Sequence, residues 1–410
     1  MLLKDIATVK GGKRLPKTDE LVTYKTDHPY IRIRDMYQSY PLELNSSFEY
    51  ITNETHEKIK RYIVNQGDVI VAVVGNTIGL VSLIGESLDG ANLTENCNKL
   101  VELKNYDNRF LYYFLTSKQG QEEIKKGIIG SSQPKLPIYN IEKFEVPDIP
   151  LGTQVKIVSL LESIDKKIDA NEKINRNLEA QAQTIFKEWF IDNADNSSWE
   201  VGTFSDLVVS TLGGDWGKEE ETGNYTEQVY CIRGADIPDV KAGNKGKMPT
   251  RFILPKNFAS KQLVAGDIVV EISGGSPTQS TGRVASVSQS LLDRYDKGMV
   301  CTNFCRALKP KAGYSMFIYY YWQYLYDKGI FFLYENGTTG IKNLDINGFI
   351  DKEEIVLPPK ELIDKFDDFC QSIFDQIFKN GISTEKLSET RDALLPKLMS
   401  GELDVSDINL

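Results

Sequence analysis

The sequence predicts an α+β fold made twice: two tandem domains, each followed by a long helix, with the two helices pairing as an antiparallel coiled coil. Three observations predict it. Gly67–Gly79 (GDVIVAVVGNTIG), a Gly-Asp pair leading an apolar run into a glycine-rich turn, returns as Gly266–Gly282 (GDIVVEISGGSPTQSTG). Ile33-Arg34 and the aromatic run Phe110–Phe114 return as Ile232-Arg233 and Phe317–Tyr321. Pro150, Ser163, Ile164, Ile168, Asn171 and Leu178 recur without a gap as Pro359, Ser372, Ile373, Ile377, Asn380 and Leu387. Solenoid repeats have periods of about 20–50 residues, so a unit this long is a duplicated domain plus helix. Two similar units on one chain suit a ligand with two similar places to be held.

Residues 1–150 form the first predicted domain. Runs at 30–33, 68–74 and 79–84 read as strands between Gly, Asn and Asp turn signals. Residues 108–126 read as one helix, with the aromatic stripe and Leu115 on one face and a lysine-rich end. Pro147 and Pro150 close the domain, and the helix of 151–192 starts there. Its apolar seam steps by four and three through Ile157, Leu161, Ile164, Ile168, Asn171, Asn175, Leu178, Ala182, Ile185 and Trp189.

Residues 199–358 repeat the order, with strands at 267–272 and 299–308 and an aromatic helix at 314–327. Pro358-Pro359 close this second domain, and the helix of 359–402 follows, its seam running through Phe366, Cys370, Ile373, Ile377, Asn380, Thr384, Leu387, Arg391, Leu394 and Leu398. Both seams have polar middles. Such groups favour one register of a coiled coil at some cost in stability. Gly381 and Arg391 make the second helix less regular, and Pro396 is expected to end or kink it. The stretch from Ile157 to Trp189 would be about 50 Å long at 1.5 Å per residue. Paired antiparallel, the helices would act as a ruler for an extended ligand such as DNA. The alternative is that each helix folds back over its own domain as amphipathic cover.

Length and composition agree with two soluble cores. The chain has 410 residues, 41% hydrophobic and 26% charged, and no apolar stretch near the roughly 20 residues of a membrane span. The start (MLLKDIATVKGGKRL) lacks a signal-peptide apolar region, and five scattered cysteines make no disulfide framework, so a reducing cytoplasm is expected. His28 and His56, far apart in sequence, read as surface residues. With Cys301 and Cys305 as the one close cysteine pair, zinc is not expected.

The net charge of −10 argues against crude electrostatic binding of nucleic acid, but its distribution matters. Residues 1–150 hold 19 basic and 20 acidic groups, residues 199–350 hold 16 of each, and the last 60 residues hold 7 and 14. The large units are near neutral and can carry basic faces. Lys241, Lys245, Lys247, Arg251, Lys256 and Lys261 lie between Asp239 and Asp267 with no acid among them, and Lys10, Lys13, Arg14 and Lys17 form a smaller cluster. Such patches track phosphates or are solvated lysine-rich loops.

Catalytic motifs are not found. GGDWGK (Gly213–Lys218) is too short for a phosphate loop and reads as a turn. No dinucleotide fingerprint, nucleophile elbow or zinc-protease helix occurs. No cofactor and no metal are expected for the chain itself. The polar loops carry more. Gly75–Gly79 and Gly274–Gly282 follow the same strand in each copy, and Gly130–Lys135 and Asn336–Gly340 come later in each. Glycines let a backbone approach a ligand, and Asn, Gln, Ser, Thr, Arg and Lys read base edges. Each loop read alone is also an ordinary turn. The DNA-contact candidates are Lys13, Arg14, Lys17, Arg34, Asn76, Thr77, Ser131, Gln133 and Lys135 in the first copy. In the second they are Arg233, Lys241, Lys245, Lys247, Arg251, Ser276, Thr278, Gln279, Thr338 and Thr339.

The two segments after the domains carry a family resemblance. Val146–Pro150, Gln154–Val158, Leu161–Ile168, Leu178–Ala182, Phe186-Lys187 and Trp189-Phe190, with the tail Leu394–Leu403 (LLPKLMSGEL), resemble the specificity subunit of type I restriction–modification enzymes. The resemblance implies that each domain is a target-recognition domain reading one half of a split double-stranded DNA site. It implies that the helices set the gap and dock two modification subunits, which methylate adenine N6 with S-adenosylmethionine. Restriction subunits would add ATP-driven translocation and cleavage, and this chain would be non-catalytic. The competing class is a two-domain scaffold that binds protein or glycan without DNA specificity. A self-contained nuclease or methyltransferase is a third reading.

Overall fold

In the computed structural model, residues 1–37, 40–193, 198–276, 278–337 and 341–405 are described. They divide into two compact units, Met1–Lys166 with Ser388–Leu410, and Lys167–Leu387.

The first unit is built on an antiparallel four-stranded sheet in the order Thr8–Gly11, Cys97–Val101, Val69–Ala72, Val81–Leu83. Val69–Ala72 is apolar at every position because both faces are covered. Successive side chains of a strand point to opposite faces. Val69 and Val71 join a core with Phe110, Phe114 and Ile157, while Ile70 and Ala72 join another with Ile31, Leu88 and Leu93. A smaller sheet pairs Pro29–Ile31 antiparallel with Glu49–Tyr50 and parallel with Asn92–Leu93.

The second unit repeats this strand order. Its larger sheet runs Val208–Gly213, Cys305–Pro310, Ile268–Glu271, Val284–Ser286. Its smaller one pairs Glu227–Ile232 antiparallel with Thr250–Ile253 and parallel with Met299–Cys301. The repeated Gly-Asp pair is a turn lock. Gly67 and Gly266 have φ of 85° and 93°, a region that favours glycine. Asp68 accepts the N–H of Asn65 at 2.9 Å and Asp267 that of Val264 at 2.8 Å. Lys99 and Lys309, on the neighbouring strands, face these carboxylates. Burial raises the pKa of both aspartates.

Two predicted elements are interrupted. The helix expected over 108–126 is two helices, Asn108–Thr116 and Lys118–Gly127. Ser117 between them is extended and caps the second by accepting the N–H of Gly120. Gly120 sits where a Cβ would come within 2.1 Å of the Phe114 carbonyl, so the two helices meet closely. The strand expected over 299–308 is likewise two strands, Met299–Cys301 and Cys305–Pro310, in different sheets.

The long helices run Leu151–Phe186 and Lys360–Met399. In the first unit Ile157, Val158 and Leu161 share a core with Leu395, Leu398 and Met399, and Arg391 pairs with Asp165 at 2.8 Å. In the second unit Ala182, Phe186 and Phe190 pack with Phe366, Cys370, Ile373 and Ile377. The polar middle is buried and bonded. Asn380 donates to Asn175 Oδ1 at 2.8 Å, Asn175 donates to the carbonyls of Ile377 and Ala242 at 3.0 Å, and Asn171 lies 3.5 Å from the Asn380 carbonyl. Ile164 is buried, whereas Ile168, Leu178, Ile185, Leu387 and Leu394 are half-buried at the flanks.

Positions that looked irregular in the sequence have partners. A Cβ on Gly381 would lie 1.9 Å from the Gly243 carbonyl, so only glycine fits under that loop. Arg294, buried, bonds the same carbonyl and pairs with Glu385, each at 2.7 Å. Pro396 does not end the second helix, which continues to Met399. The proline removes one helical hydrogen bond in the last turn, while Leu395, Leu398 and Met399 around it are buried in the first unit's core. No helix among the described residues is long and apolar enough to cross a membrane.

Candidate nucleic-acid interface

In the first unit a cleft of about 650 Å³ is lined by Arg14, Lys17, Tyr30, Arg32, Arg34, Thr94 and Asn96 among others. The fold brings them together through main-chain bonds. Thr94 donates its N–H to the Ile31 carbonyl at 3.1 Å, Lys13 donates to Leu93 at 2.8 Å, and Tyr30 OH donates to the Lys13 carbonyl at 2.8 Å. A Cβ on Gly12 would lie 2.0 Å from the Thr94 carbonyl, so the basic Lys13–Lys17 loop passes directly over the Thr94 turn. Arg34 pairs with Glu49 at 2.7 Å and Arg14 with Glu95 at 3.4 Å. Lys13, Arg14 and Lys17 are exposed. Arg32, absent from the sequence-derived set, is held by Asp35 and Glu49, yet its Nη2 is buried without a hydrogen-bond partner.

The polar loops adjoin this cleft. Val73 donates to the Asn96 carbonyl at 2.9 Å, and Gly75 donates to that of Pro134 at 3.0 Å. Asn76 and the Ser131–Gln133 stretch are exposed, as is Lys135. Thr77 instead turns its hydroxyl inward to the Val74 carbonyl at 2.8 Å.

The second unit has the same frame bond for bond. Thr302 donates to Ile232 at 3.0 Å, Asp215 to Cys301 at 2.8 Å, and Ile272 to Phe304 at 2.9 Å. A Cβ on Gly214 would lie 1.9 Å from the Thr302 carbonyl. The arginine repeat is therefore shifted from its sequence match. Arg32 donates its main-chain N–H to the carboxylate of Asp35 at 2.8 Å, and Arg233 donates its own to Asp236 at 3.0 Å. So Ile31-Arg32, not Ile33-Arg34, corresponds to Ile232-Arg233. The paired cysteines after each turn, Cys97 and Cys305, are buried, which pushes both thiols up to about 12.

The basic window of the second unit is dispersed by folding. Arg233 is clamped by Asp236 at 2.9 Å and by the Lys247 carbonyl at 2.7 Å. Arg251 is buried, stacked 3.8 Å over Trp216 and paired with Glu219 at 3.0 Å. Lys241 turns into a cavity of about 690 Å³ and donates to Gln323, and burial lowers its pKa. Lys245 lies 5.0 Å over the Tyr295 ring, and Lys247 is exposed. Ser276 closes a turn with Gln279, its N–H donating to the Gln279 carbonyl at 2.7 Å, which leaves Thr278 and Gln279 exposed. Thr338 and Thr339 lie outside the described residues. The two histidines, expected at the surface, are half-buried and stacked with ring centroids 3.8 Å apart; Asn92 holds His56 at 2.7 Å.

The comparisons with known proteins converge on this architecture. The profile of the "Type I restriction modification DNA specificity domain" matches residues 1–180. The MjaIX type I restriction enzyme specificity subunit of Methanocaldococcus jannaschii is 24% identical over 99% of this chain and 93% of its own length. Residues 1–180 carry the DNA specificity domain of type I restriction–modification systems, and the chain as a whole is similar to their specificity subunits. That match makes it a DNA specificity subunit of a type I system. The HindI specificity subunit of Haemophilus influenzae is 23% identical over 72% of this specificity subunit and 77% of its own length. The crystal structure of the type I S subunit from M. genitalium shares the fold, with a TM-score of 0.56 and 17% identity over 99% of this chain and 96% of that one.

Proposed function

We propose that this specificity subunit reads a bipartite double-stranded DNA site, each unit holding one half-site against the surface built around its Thr94 or Thr302 turn. The observation that carries the reading is that one frame of main-chain bonds is made twice while the side chains it presents differ. Lys13, Arg14, Lys17, Lys245 and Lys247 contact phosphates. Such contacts position a protein on the duplex without reading sequence. Arg32, with its unpartnered Nη2, Asn76, Gln133, Lys135 and Gln279 approach base edges, where Arg and Lys recognise guanine and Asn and Gln recognise adenine. The paired helices set the gap between half-sites and dock two modification subunits that methylate adenine, with restriction subunits joining in the full cytoplasmic complex.

The test is selection from a random duplex library with this chain co-expressed with its modification subunit. The expected result is a motif of two short half-sites with a fixed gap. No enrichment by an assembled complex would remove the reading and favour a protein-binding scaffold.

A further inference from the structure

The second unit gathers exposed apolar side chains where its counterpart is polar. Phe304 is 57% exposed, Leu333 80% and Ile341 63%. They flank one small sheet made of Ser273–Gly274, Lys342–Leu344 and Glu335–Asn336. The Phe304 carbonyl accepts the N–H groups of Ile272 at 2.9 Å and Ser273 at 3.2 Å, and Ser273 stands opposite Asn343 in the ladder. Ile341 leads directly into that ladder, and Leu333 precedes its outer strand. Single exposed apolar residues are ordinary, but a group of them marks a contact surface.

The position of this group identifies what covers it. The Val73-to-Asn96 bond of the first unit matches the Ile272-to-Phe304 bond of the second, so Phe304 stands where Asn96 lines the basic cleft with Arg14, Lys17 and Arg32. An aromatic ring there cannot donate to or accept from a base edge. The apolar feature that duplex DNA offers in its major groove is the C5-methyl group of thymine.

We propose that Phe304, with Leu333 and Ile341 beside it, reads thymine methyl groups in the half-site held by the second unit. This rests on the reading of the chain as a bipartite DNA reader. The experiment uses the co-expressed complex and duplexes carrying its selected site, with each thymine of both half-sites replaced in turn by uracil, which removes only the methyl. Burying one such group is worth about 0.8 kcal/mol, so at least one position in the second half-site should bind about fourfold more weakly. Phe304→Asn should bind the thymine and uracil duplexes alike while leaving substitutions in the first half-site with their original effects. Leu333→Ser, at a side chain too exposed to matter for folding, should reduce the same discrimination.

Equal binding of thymine and uracil at every position of the second half-site would overturn the contact, as would a second half-site without thymine. So would a Phe304→Asn complex that loses its modification subunit but keeps its thymine preference, which assigns the patch to a protein partner. Absence of any selected motif is a separate result and removes the bipartite reading itself.

Discussion

The loop after the paired glycines is Lys13-Arg14 in the first unit and Asp215-Trp216 in the second, and the turn it covers presents Glu95-Asn96 in one and Asn303-Phe304 in the other. The main-chain bonds beneath are the same, as are the close approach of Gly12 and Gly214 and the aspartate-locked arginine. A frame fixed by backbone hydrogen bonds does not depend on the side chains it displays. Those side chains are free to be basic and polar in one copy and to set Trp216 and Phe304 beside Asp215 and Asn303 in the other. On the proposed function, one architecture would read two different half-sites.

The comparison can be broken most directly at its glycines. Gly12→Val and Gly214→Val each force a side chain into a threonine carbonyl and should each cost about 3 kcal/mol, the upper range for overpacking. Thermal denaturation measures the loss. Selection on the surviving complex should show only the half-site of the altered unit degraded, and a change in both half-sites would show that the units are not independent readers.

A smaller effect is expected at Asp236. Burial raises its pKa, but hydrogen bonds from Arg233 and from the N–H groups of Lys247 and Arg233 outweigh this and hold the carboxyl below its usual range. With the folded pKa depressed, its stabilisation is complete above the ordinary aspartate value of about 3.9 and is lost as pH falls through the folded pKa. Asp236→Asn should therefore cost about 1–3 kcal/mol at neutral pH, the range for a disrupted buried polar group. It should also flatten the acid limb of the melting curve below pH 4. An unchanged acid limb would show that the arginine lock does not depend on this charge.

The smallest effect sharpens the contrast in charge. Lys17→Ala should leave stability unchanged and lower the slope of log affinity against log salt by about one unit, without altering the selected sequence. An unchanged slope would remove Lys17 from the phosphate contacts.

The duplication was legible because it lies in strand and helix patterning, which local sequence encodes. Val69–Ala72 and Ile268–Glu271 announce themselves by apolar content, and the seams by their spacing. The site was less legible because main-chain bonds between distant segments assemble it. The signal for Arg32 was there, since Ile31-Arg32 stands three residues before Asp35 as Ile232-Arg233 stands three before Asp236, but the adjacent Ile33-Arg34 offers the same dipeptide and the match fell on it. Lys241 and Arg251 read as surface charges until Gln323 and Trp216, 82 residues later and 35 residues earlier, cover them. Ser117 and Thr302 did carry signals: a serine three residues ahead of a glycine in one case, and a threonine between two cysteines in the other. Helical spacing that carries on from Leu115 to Ile124, and the apolar residues that flank Thr302 and Asn303, concealed them.

The buried asparagines have a consequence for ancestry. Asn171 and Asn380 occupy the same place in the repeat, 209 residues apart, and they touch each other. A residue meeting its own counterpart is what a two-fold symmetric interface produces. The seam is thus self-complementary, as though two copies of a half-length protein had first dimerised and were later fused into one gene. Such an ancestor, with two identical readers, would have recognised a palindrome, and fusion would have released the two halves to diverge.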